Sequence, residues 1–445
     1  MPYPILCQDE RLRQYLQSFR AFFSLPQYNH FVTVIMSLLL SVEGHTLSHL
    51  KNTISGMKSL SSLSRFFSEA PWNHQFVIQY NFSRFCRMMQ SRIEQEHRIM
   101  LEKQPKRRGR RKEPLVTGYL IGDDSTMFKP KGMKMQGIGK HYSTTHEKPV
   151  NGHSLVQCLY TVLDRYCPLE PLLYQQEEIA KKEGVLFMSK IDLMIQQIRE
   201  FTPPSGTATH VLLDSWYSAK KIWKAARDRG FQITTGLRCN RSLRVSCEND
   251  PKGWKWQKLS DYVASLPKSA YQLCSKPRNP EEKVWVHVVD TRVKKLYRCK
   301  VIVIRKNLDD PLSEARFWAS SDLAADVQTL MKHISMRWEI EPFFADTKEL
   351  LGIDQYQLMT TTALLRYWTV CWIAFSFLEE IRDDLKHQKC QKEGKNQEGC
   401  KHPPATLGQA RKEVQKTHQK LFLEWVYQQA FSGTPVEEIF ASLVA

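Results

Sequence analysis

Residues 115–237 carry the pattern that most restricts the fold. Three strand-like segments follow one another at 116–121, 136–142 and 152–163. Then the period switches: 178–201 reads as a helix, 210–213 as a short apolar strand, 218–229 as a helix and 231–237 as a strand. Three adjacent strands followed by alternating helix and strand imply an α/β architecture, one mixed sheet with helices on its faces. The flanks differ. Apolar residues recur at helical spacing through 1–100, so an all-α region is expected before the sheet. Period-two segments at 283–289, 295–305 and 315–320 mark a β-rich insertion, and helices resume at 324–351, 360–384 and 407–431. The expected division is 1–102 helical, 103–114 basic linker, 115–239 first part of the core, 240–322 insertion, 323–385 second part of the core, 386–404 polar linker and 405–445 C-terminal helical region.

Charge narrows the partner. Across 445 residues, 64 Lys and Arg oppose 46 Asp and Glu, a net +18 that favours a polyanion, either nucleic acid or an anionic membrane surface. The membrane is the weaker option, because the longest apolar run, 363–378, is interrupted by Arg366 and too short to span. Seven cations fall within 103–112, and Lys106, Arg107, Arg108, Arg110 and Arg111 are expected to track a phosphate backbone. Segments 44–51 and 59–67 read equally as a helix-turn-helix DNA reader or as part of an ordinary bundle. No charged-then-apolar leader opens the sequence, so a cytoplasmic location is expected. Eleven scattered cysteines suit a reducing compartment. His387, Cys390, Cys400 and His402 match no zinc-finger spacing, and a flexible linker is the expected reading there.

Acids punctuate the sheet. Tyr119-Leu-Ile-Gly-Asp123-Asp124-Ser125 and Val211-Leu-Leu-Asp214-Ser-Trp-Tyr217 both run from apolar strand straight into carboxylate. Such acids sit at the carboxyl edge of a sheet, where open α/β folds keep their sites. Either alone is more often a cap or turn residue, and Asp214 can cap the helix beginning near Ser218. A third acid comes from a helix. At 100° per residue, Arg337, Glu341 and Lys348 fall within about 40° of one another, whereas Glu339 lies roughly 160° from Glu341. That stripe suits a metal-binding carboxylate flanked by phosphate-holding cations, or a surface helix with ion pairs. Three gathered acids repel one another without a cation, and two Mg²⁺ ions would serve phosphodiester chemistry. Lys129, Lys131, Lys134 and Lys140 follow the first acids and are expected to hold substrate backbone.

The three blocks in order resemble a bacterial insertion-sequence DDE transposase of the cut-and-paste class. The family's Tyr-x2-Arg-x3-Glu-x6-Lys signature is matched at Arg337, Glu341 and Lys348, with Ile334 where the tyrosine belongs. Asp123-Asp124-Ser125 resembles the first catalytic block and Asp214-Ser-Trp-Tyr the second, over roughly residues 60–352. The resemblance implies a ribonuclease-H-like core, with the β insertion preceding the glutamate helix. It assigns catalysis and metal binding to Asp123, Asp214 and Glu341. Asp124 stays open as the alternative first acid, because Asp124-Ser-Thr126 fits the family's Asp-x-Thr/Ser pattern too.

By the same resemblance, the cofactor is a pair of Mg²⁺ ions, replaceable by Mn²⁺. The partners are double-stranded DNA, as terminal inverted repeats and target, and a second copy of the chain. Release through a hairpin on the element's own end is implied, and Trp254, Trp256 or Trp318 would stack on a flipped base. Two other readings stand beside it: a nuclease that cuts without joining strands, and a transposase-derived DNA-binding protein that no longer cuts.

Overall fold

A computed structural model describes residues 3–4, 9–55, 59–104, 113–143, 147–248, 250–392 and 405–444. Five helices open the chain: α1 (Glu10–Gln17), α2 (Leu25–Leu40), α3 (Leu47–Thr53), α4 (Leu60–Ser68) and α5 (His74–Lys103). Their starts are written locally. Asp9 accepts the Arg11 and Leu12 N–H groups, Ser24 and Gln27 form a capping box, and Asn73 accepts from Gln75 and Phe76. A minimal parallel pair, β1 (Tyr3–Pro4) and β2 (Ile54–Ser55), ties the N-terminal segment to the end of α3.

The main sheet follows. Its strands are β3 (Val116–Phe128), β4 (Gly139–Ser143), β5 (Lys148–Val162), β6 (Arg165–Pro168) and β7 (Leu172–Tyr174). After helices α6 (Glu177–Glu183) and α7 (Lys190–Glu200) come β8 (Thr207–Leu213), α8 (Lys220–Asp228) and β9 (Gln232–Leu237). β5 lies antiparallel to β3, whose other side pairs in parallel with β8, and β8 in parallel with β9. β4, β7 and β6 line the outer edge of β5 in turn. The mixed sheet with helices on both faces is the ribonuclease-H-like arrangement expected from the sequence.

Four differences have physical causes. The strand read at 116–121 continues to Phe128, because antiparallel pairing with β5 outlasts the parallel ladder to β8, which ends at Gly122. The helix read over 178–201 is two helices, broken at Gly184, whose φ of 68° caps α6 in the left-handed region. The helix read over 324–351 is also two: α10 (Val327–Arg337) and α11 (Ile340–Leu351), separated at Trp338 and Glu339. Finally, 386–392 is the end of a long helix, α12 (Thr361–Lys392), rather than linker, while 393–404, with Cys400 and His402, lies outside the described residues.

The insertion is continuous with the core. A hairpin, β10 (Ser242–Ser246) and β11 (Trp254–Lys258), forms its own two-stranded sheet, bridged to the rest of the fold at Leu243–Val293, and is followed by α9 (Leu259–Ala264). Then β12 (Gln272–Lys276), β13 (Asn279–Arg292), β14 (Arg298–Arg305) and β15 (Arg316–Ser320) extend the sheet antiparallel from β9, giving eleven strands among the described residues. The N-terminal helices likewise enclose no core of their own. They bury Leu12, Phe31 and Phe67 in one cluster with Phe343 of α11, Trp372 of α12 and Val414 of α13 (Leu407–Phe431), against one face of the sheet. A short α14 (Val436–Val444) ends the fold. On the other face, Leu120, Cys158 and Leu213 pack with Met194 of α7 and Trp223 of α8. α5 reaches both clusters, with Ile78 in the first and Phe85 and Met89 in the second.

Candidate active site

The pleat separates the first two acids. Successive strand residues point to opposite faces, and β3 obeys this through its polar segment. Asp123 meets Arg337 at the end of α10, with 3.3 Å between Oδ2 and the guanidinium, and Ser125 accepts from Lys348 Nζ of α11 at 2.9 Å. Asp124 faces the α7 side instead, ion-paired to Lys190 and accepting from the Tyr217 hydroxyl at 2.8 Å. The two aspartates lie inside the strand rather than at its end as expected. Asp123 nevertheless directly follows Gly122, the last residue of β3 paired to β8, so a carboxyl edge exists there.

Asp214 is the first residue beyond β8. Its carboxylate accepts the N–H groups of Trp216 at 2.9 Å and Tyr217 at 3.3 Å, closing a local turn. It does not cap α8, whose N-cap is Ala219. Parallel pairing of β3 with β8 brings this edge beside Asp123.

Glu341 stands on the first turn of α11, half exposed, and accepts from Arg337 at 2.6 Å. The predicted stripe therefore survives the break at Trp338. Arg337 is 5% exposed, and its two terminal nitrogens reach Asp123 and Glu341, while Nε is buried without a partner. Its guanidinium also lies 4.1 Å from the centre of the Trp338 ring.

The electrostatics favour a cation. Burial, then the charges of Asp214 and Asp124, push the Asp123 carboxyl up to about 7, against a weaker pull from Arg337. Burial also raises Asp214, opposed by its two backbone N–H bonds. Asp123, Asp214 and Glu341 offer only carboxylate oxygens, the donors that hard divalent cations prefer. The one positive group bridging two of these acids is itself buried. The donor set is one a divalent metal prefers, but the three carboxylates do not form a preassembled ligand cluster in the structure.

Several expected substrate contacts fall elsewhere. Lys129 is turned inward: 8% exposed, its Nζ donates to the Asp354 carbonyl and, at 2.6 Å, to that of Tyr356, and burial lowers it to about 8. It anchors the segment after α11 and is not a phosphate contact. Lys131 is exposed, as are Lys134 and Lys140. Trp318 is 6% exposed in an apolar cluster with Val286, Ile302 and Ile334, so its expected stacking role is also corrected to a core role. Trp254 and Trp256 sit on strand β11 of the two-stranded hairpin, with Arg244 4.3 Å from the Trp254 ring centre. Lys106, Arg107, Arg108, Arg110 and Arg111 lie outside the described residues.

Sequence reasoning passed over Trp216. It is 58% exposed, two residues after Asp214, and Arg238 lies 5.6 Å from its ring centre. It lines a cavity with Lys220, Asn240, Arg241 and Lys295. The signal was present in Asp214-Ser-Trp-Tyr, since an indole next to an acid on a turn has little core to enter. Lys190 and Tyr217, the partners of Asp124, carried no such signal.

The chain matches the profile described as DDE superfamily endonuclease over residues 21–283, more than half of its length, and it belongs to that family. The match takes in Asp123 and Asp214 and ends before Glu341. The class is thus one of metal-dependent nucleases, built on the fold described above. No curated protein matches the chain significantly. Among the described residues, no helix is long and apolar enough to cross a membrane.

Proposed function

We propose that the protein is a DNA transposase of the insertion-sequence, cut-and-paste type, with Asp123, Asp214 and Glu341 as its metal-binding acids. The observation that carries the reading is the double contact of Arg337. One buried guanidinium joins Glu341 of the helix to Asp123 of the sheet, so the signature helix is docked over the acid edge. The three acids would hold two Mg²⁺ ions, with Mn²⁺ as a substitute. When bound, such ions activate the attacking oxygen and stabilise the leaving one. Asp124 is then a positioning residue, held by Lys190 and Tyr217 on the opposite face.

The chain's own residues supply the rest. Lys348, beside Ser125, and exposed Lys131 hold phosphates near the cut. Arg337, which here donates to Asp123 and Glu341, would offer the same guanidinium to a substrate phosphate if those acids held cations instead. The exposed indole of Trp216, with Arg238 and Arg241 nearby, receives an unstacked base, and Trp254 and Trp256 offer a second aromatic surface. Unstacking is needed for a hairpin on the element's end, the release route of this reading. Terminal repeats and target are double-stranded DNA, the basic 103–112 segment follows their backbone, and a homodimer cuts both ends in a bacterial cytoplasm, at the nucleoid.

Joining separates this reading from that of a nuclease without strand transfer. Labelled duplexes covering the DNA that flanks the reading frame are incubated with the protein, Mg²⁺ and a supercoiled plasmid. Label covalently joined to plasmid is the expected result. Cleaved ends that never join would replace the proposal with the simpler nuclease, and end binding without any cut would favour the DNA-binding protein.

A further inference from the structure

Behind the acid site, two histidines and an aspartate converge. His210 lies on β8, four residues before Asp214, and His333 lies on α10, one helical turn before Arg337. Asp322 belongs to the turn joining β15 to α10. One ligand atom from each lies within 4.8 Å of the others. We infer that these three residues form a second metal site, for a zinc-type transition-metal dication, that clamps α10 to the sheet.

The local chemistry is hard to explain as packing alone. The two imidazole centres are 4.0 Å apart, and both rings are buried, at 3% and 4% exposure. No hydrogen bond joins them, and His333 Nδ1 is buried without a partner. A buried polar atom left unpaired is costly, and it asks for a missing group. His210 is held differently. Its Nε2 lies 2.8 Å from the Thr234 hydroxyl, and that hydroxyl donates its own proton to Ser320 Oγ at 2.9 Å. Nε2 must therefore carry the proton, which leaves Nδ1 of His210 with a free lone pair. A metal-bound histidine is normally oriented by such a bond from its other nitrogen. Asp322 is also pre-set: its Oδ1 accepts the Ala324 and Ala325 N–H groups, both at 3.1 Å, leaving Oδ2 to turn toward the rings.

Two imidazoles with one carboxylate suit zinc and its neighbours rather than Mg²⁺, which prefers all-oxygen surroundings. Zinc bonds of 2.0–2.1 Å place ligand atoms about 3.3 Å apart, inside the 4.8 Å within which the three lie. Asp322, on a partly exposed turn, has the freedom to adjust to that spacing. With the metal bound, α10 is fixed to β8 one turn before the guanidinium that spans Asp123 and Glu341. This site shares no ligand with the acid site, and metal binding here can be read without DNA cleavage.

The test uses the full chain carrying Asp123→Asn and Glu341→Gln, which disables the acid site as a competing sink. It is stripped with chelator, reloaded with Zn²⁺ in excess Mg²⁺, desalted, and measured for metal content and melting temperature. The expected result is about one Zn²⁺ per chain and a raised melting temperature. Both effects are lost on adding Asp322→Asn, whose amide oxygen still caps residues 324 and 325, or His333→Ala. Thr234→Val should weaken zinc binding about 10- to 100-fold. If His333→Ala fails to fold, Asp322→Asn decides. Zinc uptake that ignores Asp322→Asn, or no uptake in the starting variant, overturns the site.

Discussion

Asp123 and Asp124 are chemically identical neighbours, yet the strand sends one to Arg337 and the other to Lys190. The difference is testable residue by residue. Asp123→Asn should lower Mg²⁺-dependent cleavage more than about 100-fold, since losing a ligand exceeds losing a partner of one. Asp124→Asn should leave most of the rate while lowering stability by about 1–3 kcal/mol, because the Lys190 ammonium loses its carboxylate. Cleavage rates and urea melts of the two variants check this, and equal loss of rate would make Asp124 a ligand too. The lysines divide in the same way. Lys131→Ala should reduce the salt slope of DNA binding by about 1, whereas Lys129→Met should leave it unchanged and destabilise the fold. Sequence could place these acids, because an apolar run ending in carboxylate is visible one residue at a time. It could not turn Lys129 inward, because the carbonyls that hold it, at Asp354 and Tyr356, come from a segment more than 200 residues away.

Helices and strands were legible where their own periodicity decided them, as in α2, β8, β9 and α13. They were misread where a partner decided them. β3 runs through its acids because β5 continues to pair with it, and the α10–α11 break keeps the apparent wheel because Trp338 and Glu339 stay in helical backbone angles. The end of the glutamate helix depends on Gly352. Its φ is 57°, and an added Cβ would collide with the side chain of His45. Gly352→Ala should therefore cost about 1–3 kcal/mol, seen as a lower urea midpoint. The long helices make a second prediction. Asp383 of α12 pairs with Arg165 at 2.8 Å and with Arg92 of α5 at 3.0 Å. Burial pushes its carboxyl up, but the two guanidiniums more than offset this and hold it below the ordinary carboxylate value. The pair therefore stabilises the fold fully above about pH 3.9 and fades as pH falls through the lowered value. Asp383→Asn should cost on the order of 3–5 kcal/mol at pH 7 and less at pH 3, measured by denaturant unfolding. A penalty independent of pH would contradict the pairing.

At the scale of the molecule, the family match, the sheet order and the net +18 point the same way. A basic chain carries one acid-lined edge, and the glutamate helix spans the gap between that edge and a helical layer shared by both ends of the chain. The α/β class was readable because it rests on local pattern, and so was the placing of Asp123 and Asp214 beside the same strand pair. The merging of the N-terminal helices with α12 and α13 was not, because amphipathic helices do not name their partners. Nor was the continuity of the insertion with β9, since a period-two segment fits any sheet edge. The most direct measurement is Mg²⁺-dependent cleavage of labelled duplexes from the DNA flanking the reading frame, by wild type, Asp214→Asn and Glu341→Gln, with binding followed in parallel. Wild type should cut, both variants should lose cutting, and both should still bind with near wild-type affinity. Cutting that persists in either variant would contradict the assignment of the acid edge as the catalytic centre.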